Sequence, residues 1–301
     1  MKKTAFDIIK GQNLKGKVYL VTGAYSGLGA ATTEALLKAN ATVIIGGRSA
    51  AKQAEFAQSL KDNTELSFDE QQLDASYTID LGNLESVRDF ANYVNDKYDQ
   101  IDALINNAGV MYTPPGKTKD GFETQMGINV IGHFLLSKIL APKTNRQVWL
   151  SSRAHIRFGS PNIDYKAITE VDESTYNTRL CYQQSKLGNI LLAKQFSIEY
   201  PHMVAYSVHP GFVGTNLGRH AKPSQVLWLL LKNPLLPFQR QTPEQGAATQ
   251  VMVAILPEDQ LTSGAYYADC KVTKETDSAK NMADAKKLFE YCEEVTAKFQ
   301  S

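Results

Sequence analysis

From residue 18 to about residue 210, short apolar runs alternate with longer stretches in which apolar and polar positions recur at helical spacing. Val18-Tyr19-Leu20-Val21-Thr22 is an apolar run that stops at glycine, the pattern of a buried strand. Residues 30–39 have helical composition, with Ala31, Leu36 and Leu37 among the apolar positions. Residues 41–45 read as a second buried strand, 50–62 as a helix, and 63–76 as a polar loop around a short strand. Residues 77–81, 101–105, 147–152 and 204–208 read as the third to sixth strands. Helical periodicity covers 84–98, a long segment 122–140, and a segment through Leu187, Ile190, Leu191, Leu192 and Phe196. Residues 153–180 form an irregular insertion before that last helix. Beyond it, 243–256 is a helix with Thr242 as N-cap and Pro243 at its first position. A final edge strand is expected at 264–269 and a terminal helix at 283–299. Strand and helix alternate without a linker, which predicts an α/β protein built on one doubly wound parallel sheet flanked by helices. No repeat, low-complexity segment or domain boundary interrupts residues 1–301, so a single domain is expected.

Composition narrows the function classes. The chain is 43% hydrophobic with a formal net charge of +1, ordinary for a globular domain. A near-zero charge gives no electrostatic case for nucleic acid as a main partner. Cys181, Cys270 and Cys292 have neither metal-ligand spacing nor a disulfide-framework pattern, so no metal is expected. The cysteines fit a reducing compartment, and a cytoplasmic location is expected. Residues 1–10 are charged and lack an apolar run of about 7–15 residues, which argues against a signal peptide. No stretch approaches about 18 apolar residues, so no transmembrane helix is expected. The apolar segment 226–238 is broken by Pro234 and Pro237 and is too short to span a bilayer. A substrate lid across 221–241, a peripheral membrane contact through 226–238, a subunit contact and plain core remain as readings.

The strand ends carry the candidate chemistry. Gly23-Ala24-Tyr25-Ser26-Gly27-Leu28-Gly29 lies between a strand and a helix. There, missing side chains let backbone amides at the helix N-terminus approach a pyrophosphate; an ordinary turn is the alternative. The second strand ends at Gly46-Gly47-Arg48-Ser49. An acid at this place selects NAD through the 2′-hydroxyl, whereas Arg48 suits a 2′-phosphate, so NADP(H) is expected over NAD(H). A surface arginine, with Ser49 as a helix cap, is the plainer reading. Asp80 and Leu81 end the third strand, where Asp80 faces an adenine. Asn107, Ala108 and Gly109 end the fourth, over the cofactor crevice, or form an ordinary turn. Asn129 falls mid-helix, and Ser152 ends the fifth strand with a hydroxyl that can donate to a substrate oxygen or cap a turn. Tyr182 and Lys186 are four residues apart, on one face of a helix, and a neighbouring ammonium lowers a phenol's pKa. Alone, that pair is more often an exposed helix face. Cys181 points about 100° away from Tyr182 on the helix and reads as packing. His209 precedes the rigid turn Pro210-Gly211 and reads as structural, with Val213 and Thr215 as contacts to cofactor phosphate or carboxamide.

In their order and spacing these motifs resemble the short-chain dehydrogenase/reductase family. They are Thr22-Gly23-x-x-x-Gly27-x-Gly29, Asn106-Asn107-Ala108-Gly109, Asn129, Ser152, Tyr182-x-x-x-Lys186 and Pro210-Gly211. Within it, residues 129–136, 182–191, 209–211 and 242–247 resemble the retinol dehydrogenase and protochlorophyllide reductase-like branch, as does the long gap between Ser152 and Tyr182. The segments 153–181 and 221–241 match least. Many retinol dehydrogenases carry an N-terminal membrane anchor, and none is expected here.

The resemblance implies a Rossmann fold, with residues 18–150 mainly binding cofactor and 151–301 supplying the Tyr–Lys helix and the substrate side. It implies that Tyr182 is the general acid or base and that Lys186 lowers the tyrosine pKa and binds the nicotinamide ribose. Ser152 bonds the substrate oxygen, and Asn129 holds a water that links Lys186 to solvent. It further implies NADP(H)-dependent hydride transfer with a small hydrophobic carbonyl or alcohol, retinoid-like or lipid-derived. A sensor or scaffold without turnover and a C=C reductase on the same fold are the alternatives. Homo-oligomers are common in the family.

Overall fold

The computed structural model describes residues 2–157, 162–214, 216–218 and 239–300. Thr215 and the apolar segment 226–238 lie outside them.

Strands β1 (Val18–Thr22), β2 (Thr42–Gly46), β3 (Leu73–Asp74), β4 (Ala103–Asn106), β5 (Arg146–Leu150), β6 (Val204–His209), β9 (Tyr266–Ala268) and β10 (Lys271–Val272) form one sheet in the order β10-β9-β6-β5-β4-β1-β2-β3. Every pairing in it is parallel except β10 with β9. A separate two-stranded parallel pair joins β7 (Phe212–Val213) to β8 (Arg240–Gln241). The central strands are apolar throughout because successive side chains supply two different cores. Leu20, Ile44, Leu104, Trp149 and Tyr266 face one; Tyr19, Val21, Val43, Ile45, Ile105, Val148 and Tyr267 face the other. Helices α4 (Leu84–Lys97), α5 (Gly132–Leu140), α6 (Thr178–Glu199) and α8 (Met282–Thr296) cover the first face. Helices α1 (Ala5–Ile9), α2 (Gly27–Lys38) and α7 (Pro243–Ile255) cover the second, and α3 (Ala50–Asp62) follows β2.

Chain order reverses between β1 and β4, which opens a crevice beyond their C-terminal ends. Local signals hold there. The Ser49 side chain accepts from Lys52 N–H, and Thr242 with Gln245 forms a reciprocal capping box ahead of Pro243.

Four expectations are corrected. Residues 77–81 are not a strand: pairing with β2 is made by Leu73–Asp74, and 77–81 runs on as a loop tied by Ile79 N–H to Gly47 O at 3.0 Å. Tyr266–Ala268 is not the edge, because Lys271–Val272 pairs outside it. The insertion 153–180 contains short helices at Ala154–Arg157 and Tyr165–Thr169. The helix expected over 122–140 is broken: Thr124–Met126 leads into a π-helical turn at Gly127–Ile131 before α5 begins. Helix α1 has no counterpart in the sequence pattern; Thr4 and Asp7 cap it, and it packs on α2 and α7.

Candidate active site

A cavity of about 1470 Å³ occupies the crevice. One end is walled by Gly23, Tyr25, Ser26, Gly27, Leu28 and Gly29 from the β1–α2 turn. Ser26 is the N-cap of α2 yet makes no side-chain cap bond, so the first amides of that helix are left for an anion. Gly29 is required by contact: a Cβ there would lie 2.2 Å from Gly23 O. Arg48 is exposed at the rim beside Ser49 and Lys52, and no acid stands between Gly46 and Ser49. Asp80 and Leu81 also line the cavity, but from the loop after β3; Asp80 Oδ1 accepts from Gly82 N–H at 2.9 Å. Asn107, Ala108 and Gly109 form its floor, and Pro210, Gly211 and Val213 also line it.

Ser152, Tyr182 and Lys186 line the other end. Helix α6 is buried along one continuous stretch from Tyr182 to Ala193, which is why its sequence shows only a weak amphipathic stripe. Lys186 Nζ sits 5.7 Å from the Tyr182 ring centroid and donates to Leu150 O at 2.9 Å. Asn189 Nδ2 donates to the same carbonyl at 2.7 Å, and Ser151 Oγ donates to Lys186 O at 2.6 Å, so α6 is bolted to the end of β5. Proximity to an ammonium would lower the Tyr182 phenol, but burial wins: it raises the phenol above its ordinary value, with a Ser152 hydrogen bond pulling partly back. Burial pushes the Lys186 amine down to about 7.

Asn129 does not line the cavity. It is fully buried behind it, in the π-helical turn, the kind of helix irregularity that gathers at functional sites. Its Oδ1 accepts from Val110 N–H at 2.9 Å, and its Nδ2 donates to Val110 O and to Ser185 Oγ, both at 3.0 Å. Ser185 Oγ donates in turn to Tyr182 O at 2.8 Å. Gly109 lies between the two polar groups; a Cβ there would be 3.1 Å from Asn129 Oδ1 and 3.6 Å from Lys186 Nζ.

Three contributors were given no role of their own by the sequence. Thr22 Oγ1 accepts from the N–H groups of Asn107 (3.0 Å) and Ala108 (2.9 Å), so β1 holds the β4 turn in place. His133 joins Thr22 to Asn129, with Nε2 toward Thr22 Oγ1 and Nδ1 toward Asn129 O. Tyr112 has φ of 56°, unusual for a bulky residue, and its N–H donates to Gln125 Oε1 at 2.8 Å. Its ring meets Tyr182 edge-on at 5.8 Å. No periodicity signals any of the three, because each is defined by a long-range contact. Cys181 is half-buried, and burial pushes its thiol up to about 12, in line with a packing role. His209 Nδ1 accepts from Arg153 N–H at 3.3 Å, at the wall beside Ser152.

The family model for short chain dehydrogenase matches residues 17–150. Retinol dehydrogenase 14 of Mus musculus is 35% identical over 93% of this chain and 86% of its own length. The chain is a short-chain dehydrogenase/reductase. It falls in the retinol dehydrogenase-like branch, since retinol dehydrogenase 14 of Homo sapiens is 36% identical, and retinol dehydrogenase 11 of Homo sapiens 34% over 92% of this chain and 85% of that one. A solved protein of Mycobacterium Paratuberculosis superposes with a TM-score of 0.76 at 28% identity, covering 99% of this dehydrogenase/reductase and 98% of that chain. A Pseudomonas aeruginosa RhlG/NADP active-site complex shares the fold, with a TM-score of 0.63 at 22% identity over 85% of this chain and 95% of that one. Membership makes the protein an oxidoreductase that uses a nicotinamide cofactor, and the uncapped N-terminus of α2 fits the pyrophosphate of one. Among the described residues, no helix is long and apolar enough to cross a membrane and no cluster of acids, histidines and cysteines could hold a metal.

Proposed function

We propose that this dehydrogenase/reductase transfers hydride between NADP(H) and the carbonyl or alcohol carbon of a small hydrophobic substrate. The observation that carries the reading is the meeting of Ser152, Tyr182 and Lys186 at one end of the cavity whose other end is the α2 N-terminus. The cofactor, when bound, supplies or accepts the hydride. Tyr182, kept protonated by burial, donates its phenolic proton to the oxygen of a carbonyl being reduced, and takes one back in alcohol oxidation. Ser152 donates a hydrogen bond to the same oxygen as charge develops on it. Lys186, with burial bringing it to about 7, returns the proton to Tyr182 and binds the nicotinamide ribose. Both hydrogens of the Asn129 amide are committed, to Val110 O and Ser185 Oγ, so the water leading from Lys186 to solvent is assigned to an acceptor of this residue, its main-chain carbonyl.

Arg48 with Lys52 at the rim, and the lack of an acid there, support NADP(H) over NAD(H). The names of the retinol dehydrogenase relatives and the aromatic edge of Tyr112 on Tyr182 support a hydrophobic, retinoid-like or lipid-derived substrate. The test is oxidation of NADPH by the purified protein with a panel of apolar aldehydes and ketones, retinal included, and NADH alongside. Turnover with NADPH is the expected result. NADPH binding with no turnover on any member of the panel would favour a sensor that keeps the fold without the chemistry.

A further inference from the structure

We propose that His133 is a positioning residue: a neutral imidazole in one tautomer that locks the Asn129 peptide to the cofactor turn. The inference rests on the role given to Asn129 above. His133 is completely buried, one turn after Asn129 and beside the Trp149 ring at 6.5 Å. Its Nδ1 is 3.1 Å from Asn129 O. A carbonyl oxygen only accepts, so Nδ1 carries the hydrogen. Its Nε2 is 2.9 Å from Thr22 Oγ1. Burial pushes the imidazole down to about 3, with the Lys186 charge adding to the effect, so the ring carries one hydrogen and Nε2 is a bare lone pair. The Thr22 hydroxyl therefore donates to Nε2. Its other acceptor, Ile105 O, is farther at 3.4 Å, and choosing it would orphan Nε2 in a dry core. With its hydrogen committed to His133, the Thr22 oxygen accepts from Asn107 and Ala108.

The bonds thus run in one direction: from the Asn107 and Ala108 amides to Thr22, from Thr22 to Nε2, and from Nδ1 to the Asn129 carbonyl. The π-helical turn is what makes the last bond useful. In it, Gly132 N–H reaches back five residues to Gly127 O, and the ladder around Asn129 departs from α-helical register. A side-chain donor from the next turn then sets the direction of the Asn129 carbonyl, whose second lone pair serves the proton path from Lys186. The same ring steadies the floor of the cofactor subsite through Thr22. One residue therefore touches both functions without touching substrate or cofactor.

Two variants separate the two bonds. In His133→Asn the side-chain amide occupies the Nδ1 position and can still donate to Asn129 O. In His133→Gln it reaches the Nε2 position and can still accept from Thr22. We expect His133→Gln to lose about tenfold in kcat for aldehyde reduction while NADPH Kd, from fluorescence titration, stays near wild type. We expect His133→Asn to keep kcat within about twofold and to weaken NADPH about tenfold. The third arm uses the unaltered protein: histidine 15N–1H correlation with NADPH bound should show His133 with hydrogen on Nδ1 and none on Nε2. An Nε2–H tautomer, wild-type behaviour of both variants, or equal losses in both that follow a common fall in Tm would each overturn the proposal, the last by making His133 plain packing. A wild-type protein that turns over no substrate would sink the functional reading instead; the tautomer and the NADPH titrations would still decide the role of His133.

Discussion

The two ends of the crevice are built from different material. The end at the α2 N-terminus, proposed above to hold the cofactor, is built on turns at Gly23–Gly29 and Asn107–Gly109, with its charged groups exposed at the rim. The Tyr–Lys end is side chain, and several of its buried polar groups are tied to backbone atoms of neighbouring elements, as Lys186 and Asn189 are to Leu150 O and Asn129 is to Val110. Where a ligand must approach the backbone, the protein removes side chains, and faults there are steric. Where proton affinity must be set, it buries side chains and fixes them, and faults there appear in rate and in pH dependence.

The largest effect that would test this contrast is at Tyr182. Tyr182→Phe should lose at least ~100-fold in turnover with an apolar aldehyde while still binding NADPH. Near-wild-type turnover would remove the phenol from the reaction. Gly29→Ala is the matching test of the main-chain end. Its Cβ meets Gly23 O, a backbone atom that cannot swing aside, so a cost of roughly 1–3 kcal/mol in stability is expected. The rise in Tm that NADPH gives the wild type should disappear as well. An unchanged ligand-induced shift would mean that the turn does not hold the pyrophosphate.

Lys186→Met should abolish turnover yet stabilise the fold by about 1–3 kcal/mol, because it removes a buried amine. The sign follows from linkage. The amine sits near 7 when folded against an ordinary 10.5, so between those values the unfolded chain binds the extra proton and the folded protein gains stability as pH rises. The difference between variant and wild type should therefore be greatest below pH 7 and vanish toward pH 10.5, in denaturant melts run across that range. A pH-independent difference would mean that burial does not perturb this amine. At the rim, Arg48→Ala should weaken NADPH by about tenfold and NADH hardly at all, read from paired titrations. Equal weakening of both would overturn the 2′-phosphate assignment. The smallest effect belongs to Cys181→Ser, which should leave turnover within about twofold, since burial keeps the thiol protonated and it stands about 100° around the helix from Tyr182.

Legibility followed the same division. The glycine turn, the Asn107–Gly109 turn and the Tyr182–Lys186 spacing are local patterns, and all of them meet at one cavity. The place of Arg48 on the cavity lining was legible because a strand end is a fixed address in a doubly wound sheet. The third strand was misplaced because only two residues, Leu73 and Asp74, pair with β2, too few to imprint a period on the sequence. Helix α1 escaped notice because its five residues give one turn, whose stability comes from packing on α2 and α7.

By itself the sequence determined the alternation of strands and helices, the family, and which residue types stand at the strand ends. These follow from periodicity and from spacing along the chain, quantities that a linear string carries. Only the tertiary structure decided that Asn129 lies in a π-helical turn behind the cavity, that Thr22 and His133 connect that turn to the cofactor floor, and that Tyr182 is raised rather than lowered. Each of these depends on burial or on hydrogen bonds between residues far apart in sequence. The free energy of a proton or a buried polar group is set by its surroundings in space, and no local pattern encodes those surroundings.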